Sequence, residues 1–170
     1  MKQHPYTTLW LLLAVGLLPL LAALLMYFGG FGVPEGRVNH GRLVLDQPPL
    51  PSWQLRGDDG QLWDGRGKWQ LLQVDLACDP QCQRWRRSLK QLHRALGRER
   101  NRVQPHWVVG AQSTASGVLR LGLEHPLDSL AEGIWLADPR GNLVLYYGYD
   151  QSPRDLLDDL KRLLKLSKVG

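Results

Sequence analysis

Trp69-Gln70-Leu71-Leu72-Gln73-Val74-Asp75-Leu76-Ala77-Cys78-Asp79-Pro80-Gln81-Cys82 is the stretch on which the fold turns. Trp69–Leu76 is a compact apolar run of strand length. It leads straight into two cysteines and a helix start, since Asp79 is a good N-cap and Pro80 a good first helical residue. From Gln81 to Leu96, Trp85, Leu89, Leu92 and Leu96 recur at i, i+4, i+7 and i+11, a single helical face. The spacing therefore predicts a buried strand, a cysteine-bearing turn and an amphipathic helix.

Outward from that unit the pattern keeps alternating. Trp107-Val108-Val109 reads as the next strand, followed by a loop with room for a helix. Ile134–Ala137 and Leu143–Tyr147 flank Asp138-Pro139-Arg140-Gly141, with proline and glycine where a type I turn prefers them. The last helix opens on Ser152 and Pro153 and carries Leu156, Leu157, Leu160, Leu163 and Leu164 on one face. Asp155, Asp158 and Asp159 precede Lys161, Arg162 and Lys165, as the helix dipole favours. Upstream, Trp53-Gln54-Leu55 and Gln61-Leu62-Trp63 flank Gly57-Asp58-Asp59-Gly60, a hairpin signal. Strands interleaved with helices predict an α/β sandwich. The order strand, cysteines, helix, strand, hairpin, helix is that of a thioredoxin-like fold.

The chain has 170 residues, 44% hydrophobic and 22% charged, with net charge +5, two cysteines and seven tryptophans. That excludes a disordered tail, a disulfide-dense mini-protein and a multi-domain enzyme. Hydrophobicity is concentrated in Leu9–Phe28, which holds no charge; Glu35 is the first acid after it. About 20 residues at ~1.5 Å each span about 30 Å, the thickness of a hydrocarbon core. Trp10, Tyr27 and Phe28 stand where interfacial aromatics are favoured, and Pro19 is tolerated mid-span. A cleaved signal peptide fits less well, because Leu24-Leu25-Met26-Tyr27-Phe28 is bulky where a small-residue cleavage site belongs. The expected organisation is a flank at 1–8, a transmembrane anchor at 9–28, a Gly/Pro-rich linker at 29–52 and the thioredoxin-like domain at 53–170. Lys2 before the span balances Arg37 and Arg42 after it, so charge bias does not set the topology.

Cys78 and Cys82 are the only cysteines and make a Cys-x3-Cys pair. Cys82 falls in the first helical turn and Cys78 just before the cap, where unpaired N–H groups and the helix dipole stabilise a thiolate. Arg84, Arg86 and Arg87 act in the same direction and Asp79 opposes them. The spacing suits a disulfide, and two thiolates there could equally chelate a soft metal such as Cu(I). It differs from the Cys-x2-Cys of thioredoxin-type oxidoreductases.

With its apolar N-terminal segment, its Cys78–Cys82 pair after a strand, its Ile134–Tyr147 hairpin and its Leu156–Leu166 helix, the sequence resembles the SCO/SenC family. Those are membrane-anchored thioredoxin-fold proteins of cytochrome c oxidase assembly that bind copper through a Cys-x3-Cys pair and a distant histidine. Ile134–Leu143 and the close Arg162–Gly170 are similar, more narrowly, to small single-span proteins encoded beside cytochrome oxidase assembly factors in proteobacteria. The resemblance implies copper as cofactor, Cys78 and Cys82 as redox pair and metal ligands, and a membrane and an oxidase subunit or another assembly factor as partners. It also implies a bacterial inner-membrane protein with a periplasmic domain. The family places its histidine just before the strand that enters the hairpin. Here Ser129-Leu130-Ala131-Glu132-Gly133 has none, so His125 upstream is the candidate third ligand. Gly133 also stands where thioredoxin oxidoreductases carry a cis-proline.

His93 lies about three turns, roughly 16 Å, beyond Cys82 and reads as a helix-face residue. His106 reads as the start of a strand and His40 as part of the linker. Between Arg84 and Arg102 eight basic residues face a single acid, Glu99: a solvated face, or a docking surface for an acidic partner or anionic lipid. Trp53, Trp63, Trp69, Trp85, Trp107 and Trp135 read as packing residues. No nucleic-acid motif is present. The leading expectation is an anchored accessory factor of oxidase biogenesis that handles copper or disulfides. The alternatives are a thiol-disulfide reductase of a partner protein and a single-span scaffold with a structural disulfide.

Overall fold

The computed structural model describes residues 5–29, 39–75, 78–122 and 130–168. They fall into two compact units, Met1–Val38 and Asn39–Gly170. The first contains helix α1, Pro5–Gly29, with Pro19 inside it. Its Tyr6–Gly29 stretch, whose most apolar 18-residue window has a mean hydropathy of 2.6, is long and apolar enough to cross a membrane.

The second unit is a six-stranded mixed sheet in the order β1-β6-β5-β2-β3-β4. The strands are β1 Arg42–Leu43, β2 Trp69–Val74, β3 Val103–Val109, β4 Leu119–Arg120, β5 Gly133–Ala137 and β6 Leu143–Tyr147. β2 runs parallel to β3 and antiparallel to β5, and β6 runs antiparallel to both β5 and β1. Helix α2, Pro80–Ala95, makes the crossover from β2 to β3, and α3, Pro153–Leu166, closes the fold.

Why β2 is central follows from its side chains: all six are buried. Leu71 joins Trp85, Leu89 and Leu92 of α2, Ile134 and Leu136 of β5, and Leu156, Leu160 and Leu164 of α3 in one core. Leu72 and Val74, one step along the pleat, join Leu50, Trp53, Leu55, Val108 and Trp135 on the opposite face. Each buried leucine contributes about 1.5–3 kcal/mol. Both helix starts are as expected: Asp79 accepts from Cys82 N at 2.7 Å, and Ser152 accepts from Arg154 N at 3.2 Å. The turn Asp138–Gly141 closes with Gly141 N donating to Asp138 O at 2.9 Å.

Three local expectations change. The hairpin forms over residues 55–57 and 61–63, with Trp63 N donating to Leu55 O at 2.7 Å and Gly57 N to Gln61 O at 3.0 Å. It stops short of Trp53: Leu50–Trp53 is a 3-10 turn, and Trp53 is fully buried, edge-on to Trp135 at 5.7 Å. Pro49 and Pro51 bring no N–H groups to a ladder, and Arg56 bridges both Leu62 and Arg120. The Gly57–Gly60 turn itself forms, with Gly60 N donating to Gly57 O at 3.0 Å. β3 begins at Val103, which places His106 mid-strand, and β4 adds an edge strand that the pattern did not announce.

Within the stretch read as linker, Arg42–Leu43 pairs with β6 and Leu50 is buried. A clamp fixes its start. Asp159 of α3, 3% exposed, accepts from His40 N at 2.7 Å, Gly41 N at 3.0 Å and Tyr147 OH at 2.8 Å, and His40 Nδ1 lies 3.1 Å away. Gly41 is obligatory there, because a Cβ would sit 2.5 Å from the Tyr147 ring. Burial would raise the Asp159 pKa, but the bonds from Gly41, Tyr147 and His40 outweigh it and hold the carboxyl below its ordinary value.

Candidate redox and metal site

The site lies where the central strand hands over to α2. β2 ends at Val74 and delivers Asp75, 3% exposed, at its C-terminal edge. The cap at Asp79 then starts α2 so that Cys82 occupies the first turn with no exposure, while Cys78 before the cap is exposed. The two cysteines form a disulfide with a Cα–Cα separation of 5.3 Å. A carboxylate oxygen of Asp75 and the two sulfurs all lie within 4.8 Å of one another.

Beneath the sulfurs runs a buried polar row. Gln73 Nε2 donates to Cys82 O at 3.0 Å and lies 3.2 Å from Cys82 Sγ. Tyr149, in the turn before α3, places its hydroxyl 3.1 Å from both Val74 O and Asp75 Oδ2, and 3.5 Å from Gln73 Nε2. Trp85 Nε1 donates to Tyr149 O at 3.0 Å and fixes that turn against α2.

A strand, an exposed and a buried cysteine at a helix N-terminus, a returning parallel strand, and a hairpin with a covering helix are all in place. The family described as the transmembrane-like, thioredoxin-like, C-terminal domain matches residues 69–167. The chain belongs to this thioredoxin-like family. No curated protein matches the sequence. Among solved structures, ScoI of Arabidopsis thaliana with copper bound aligns over 66% of this chain and 96% of its own, with 17% identity and a TM-score of 0.53. Apo Sco1 of Thermus thermophilus aligns over 75% and 96%, with 18% identity and a TM-score of 0.53. A thiol:disulfide interchange protein from Bacteroides sp. aligns over 75% and 91%, with 15% identity and a TM-score of 0.51. At these identities the likeness is one of fold.

Within this thioredoxin-like domain the histidines have other roles or lie elsewhere. His40 belongs to the Asp159 clamp, and His93 Nε2 lies 2.9 Å from the carbonyls of Arg100 and Val103. His106 packs on Trp63 at 4.6 Å, and burial lowers its pKa to about 4, so it is neutral at physiological pH. His125 lies outside the described residues. Gly133, at the head of β5, has φ +148°, and a Cβ there would meet Tyr147 O at 2.5 Å. That position accepts no side chain.

Sequence reasoning missed Asp75, Gln73 and Tyr149. A signal for the first existed: it is the one acid in an otherwise uncharged run from Trp69 to Ala77. Burial pushes the Asp75 carboxyl up; the Tyr149 hydroxyl and Arg86 oppose the shift without cancelling it, and Glu132 and Asp79 add to it. The Tyr149 hydroxyl is itself driven up, mainly by burial, and stays protonated.

The basic stretch runs along α2 and the 3-10 turn Gly97–Arg102. Arg84, Arg87, Lys90, Arg94 and Arg98 are exposed, whereas Arg102 pairs with Glu99 at 2.7 Å. Arg86 and Lys90 lie over the Trp107 ring at 5.4 and 5.5 Å.

Proposed function

We propose that this protein is a membrane-anchored thiol-disulfide factor of cytochrome c oxidase biogenesis, with Cys78 and Cys82 as its redox pair. The observation that carries this reading is the asymmetry of the pair: one exposed sulfur, one buried sulfur, and a buried carboxyl beside both. Thiol-disulfide exchange depends on access, and here one sulfur is open to attack a client while the other is shielded beside it to resolve the adduct. In the reducing direction the Cys78 thiolate attacks a client disulfide, forms a mixed disulfide and releases one client thiolate. Cys82, losing its proton to Asp75, then attacks Cys78 Sγ, forms the Cys78–Cys82 bond and releases the second client thiolate. Two electrons pass from the pair to the client, whose released thiolates take up the two protons. The oxidase assignment draws its support from the SCO/SenC resemblance and from a fold shared with Sco structures.

A redox titration tests the reading. The pair should cycle between about −120 and −300 mV; a potential below that range marks a structural staple. Asp75→Asn provides a second check. It should slow exchange about 10²-fold, the lower range for losing a positioned proton acceptor. It should also stabilise the oxidised protein at pH 7. The sign follows from the raised pKa: folding favours the protonated carboxyl, so stability falls as pH rises through the unfolded value towards the folded one. Melting temperatures of wild type and variant should therefore differ at pH 7 and converge below about pH 3, where folded and unfolded states are both protonated.

Copper as cargo is a second reading, favoured by the Asp75, Cys78 and Cys82 group. Two thiolates form a soft donor pair suited to Cu(I), and the buried carboxylate is a hard third donor better matched to Cu(II). The reduced protein should take up one Cu(I) per chain anaerobically, and the Cys78→Ser/Cys82→Ser variant none. Equal uptake by both would remove this reading.

In the same proposal residues 9–28 anchor the chain in the bacterial inner membrane, and the domain that begins at Asn39, within the stretch read from the sequence as linker, works in the periplasm. A disulfide persists in such an oxidising compartment. A reporter fused at Gly170 should be active only on the periplasmic side.

A further inference from the structure

We propose that Gln73 is a positioning residue that sets the reduction potential of the Cys78–Cys82 pair, by donating an amide N–H to the Cys82 sulfur more strongly once that sulfur is reduced. The inference rests on the exchange reading above and adds a residue to it.

Gln73 is wholly buried one residue from the C-terminal end of the central strand, on the face that looks at α2. An apolar side chain would be the ordinary occupant of such a position. Its amide orientation is fixed by chemistry: Cys82 O at 3.0 Å accepts only, so the nitrogen must face Cys82. The same nitrogen lies 3.2 Å from Cys82 Sγ. The opposite atom, Oε1, is buried without a hydrogen-bond partner among the described residues. A buried unpartnered acceptor is destabilising, so this glutamine is not accounted for by stability alone.

The asymmetry between redox states supplies the missing account. A disulfide sulfur is a weak acceptor. On reduction by two electrons the S–S bond breaks, and the Cys82 sulfur, no longer bonded to a second sulfur, becomes a better acceptor, most of all as the negatively charged thiolate that attacks Cys78. Hydrogen bonds to charged acceptors are roughly twice as strong as neutral ones. Cys82 is held in the first turn of α2 by its own N–H bond to Asp79 and by its carbonyl bond to Gln73. The donor therefore remains opposite the sulfur when Cys78 is released. Tyr149, 3.5 Å from the amide and anchored by Val74 O, limits where that amide can turn. Gln73 thus favours the reduced pair and makes the protein a stronger oxidant than its backbone geometry alone would.

The test is the equilibrium of the full-length protein with glutathione, measured for wild type, Gln73→Met and Gln73→Leu. Both replacements remove the donor, and they differ in shape. Each should shift the equilibrium about tenfold towards the disulfide, which is about 30 mV more negative. A shift shared by both variants assigns it to the lost N–H rather than to repacking. If one variant fails to fold, the other still decides. Wild type cycling normally with a variant within twofold of it would overturn this inference and leave the exchange reading standing. A wild-type pair that does not cycle would overturn both.

Discussion

Cys78→Ser is expected to abolish exchange, lowering the rate by at least about 10³-fold, as loss of an attacking nucleophile does. Cys82→Ser should behave differently, because it leaves the exposed nucleophile and removes the sulfur that resolves its adduct. That variant should accumulate a mixed disulfide with the client, visible as a reducible band of higher mass on a non-reducing gel. The contrast follows from exposure: Cys78 is open to solvent, and Cys82 is fully buried behind it. Two variants with the same phenotype, neither trapping an adduct, would contradict the division of labour. If Cys82→Ser retained full turnover, the buried sulfur would be a staple and not a resolving group.

Asp159→Ala carries the second large effect, this time on stability. Removing the carboxylate strands three donors together: His40 N, Gly41 N and the Tyr147 hydroxyl. At about 1–3 kcal/mol for each buried group left unsatisfied, with His40 partly solvated, the loss should reach about 3 kcal/mol. A domain of this size should then melt about 10 °C lower. Tyr147→Phe, which removes one donor and leaves the carboxylate, should cost only about 1 kcal/mol. The pH dependence has a definite sign. Asp159 is held below its ordinary pKa, so its contribution is present above the unfolded value and is lost as pH falls through the folded one. Wild type should thus lose stability in acid more steeply than Asp159→Ala. Parallel acid profiles for the two proteins would rule out the carboxylate as the source.

The elements set by local chemistry were legible in the sequence, and those set by distant contacts were not. Asp79–Pro80 and Ser152–Pro153 announce their helices because a cap and a fixed φ act within a few residues. Asp138–Gly141 announces its turn for the same reason. Trp53 reads as a strand residue by its neighbours, yet proline-rich flanks and an aromatic partner 82 positions away, Trp135, place it in the opposite core. β4 depends on pairing with β3 and leaves no periodic trace in two residues. The site divides along the same line. The cysteine pair is visible as spacing, and its helix-terminal setting as a cap signal. The supporting groups are not: Gln73 and Tyr149 are 76 positions apart and meet only because β2 and the turn before α3 pack together. Asp75 belongs between these cases, visible as a lone acid but interpretable only once its burial is known.

The Asp159 clamp also decides how the domain answers to force. Tension entering along the chain ahead of Asn39 meets the bonds from His40 and Gly41 to α3, and then the two-residue pairing of β1 with β6. Those few contacts can yield in turn at the sheet's outer edge. The load would next meet Leu50, Trp53 and Leu55, buried in the core on the face of β2 opposite α2, before it reached β2 and the cysteine turn. A pulled domain would therefore shed its first strand as a mechanical fuse, and the disulfide would remain seated on an intact sheet.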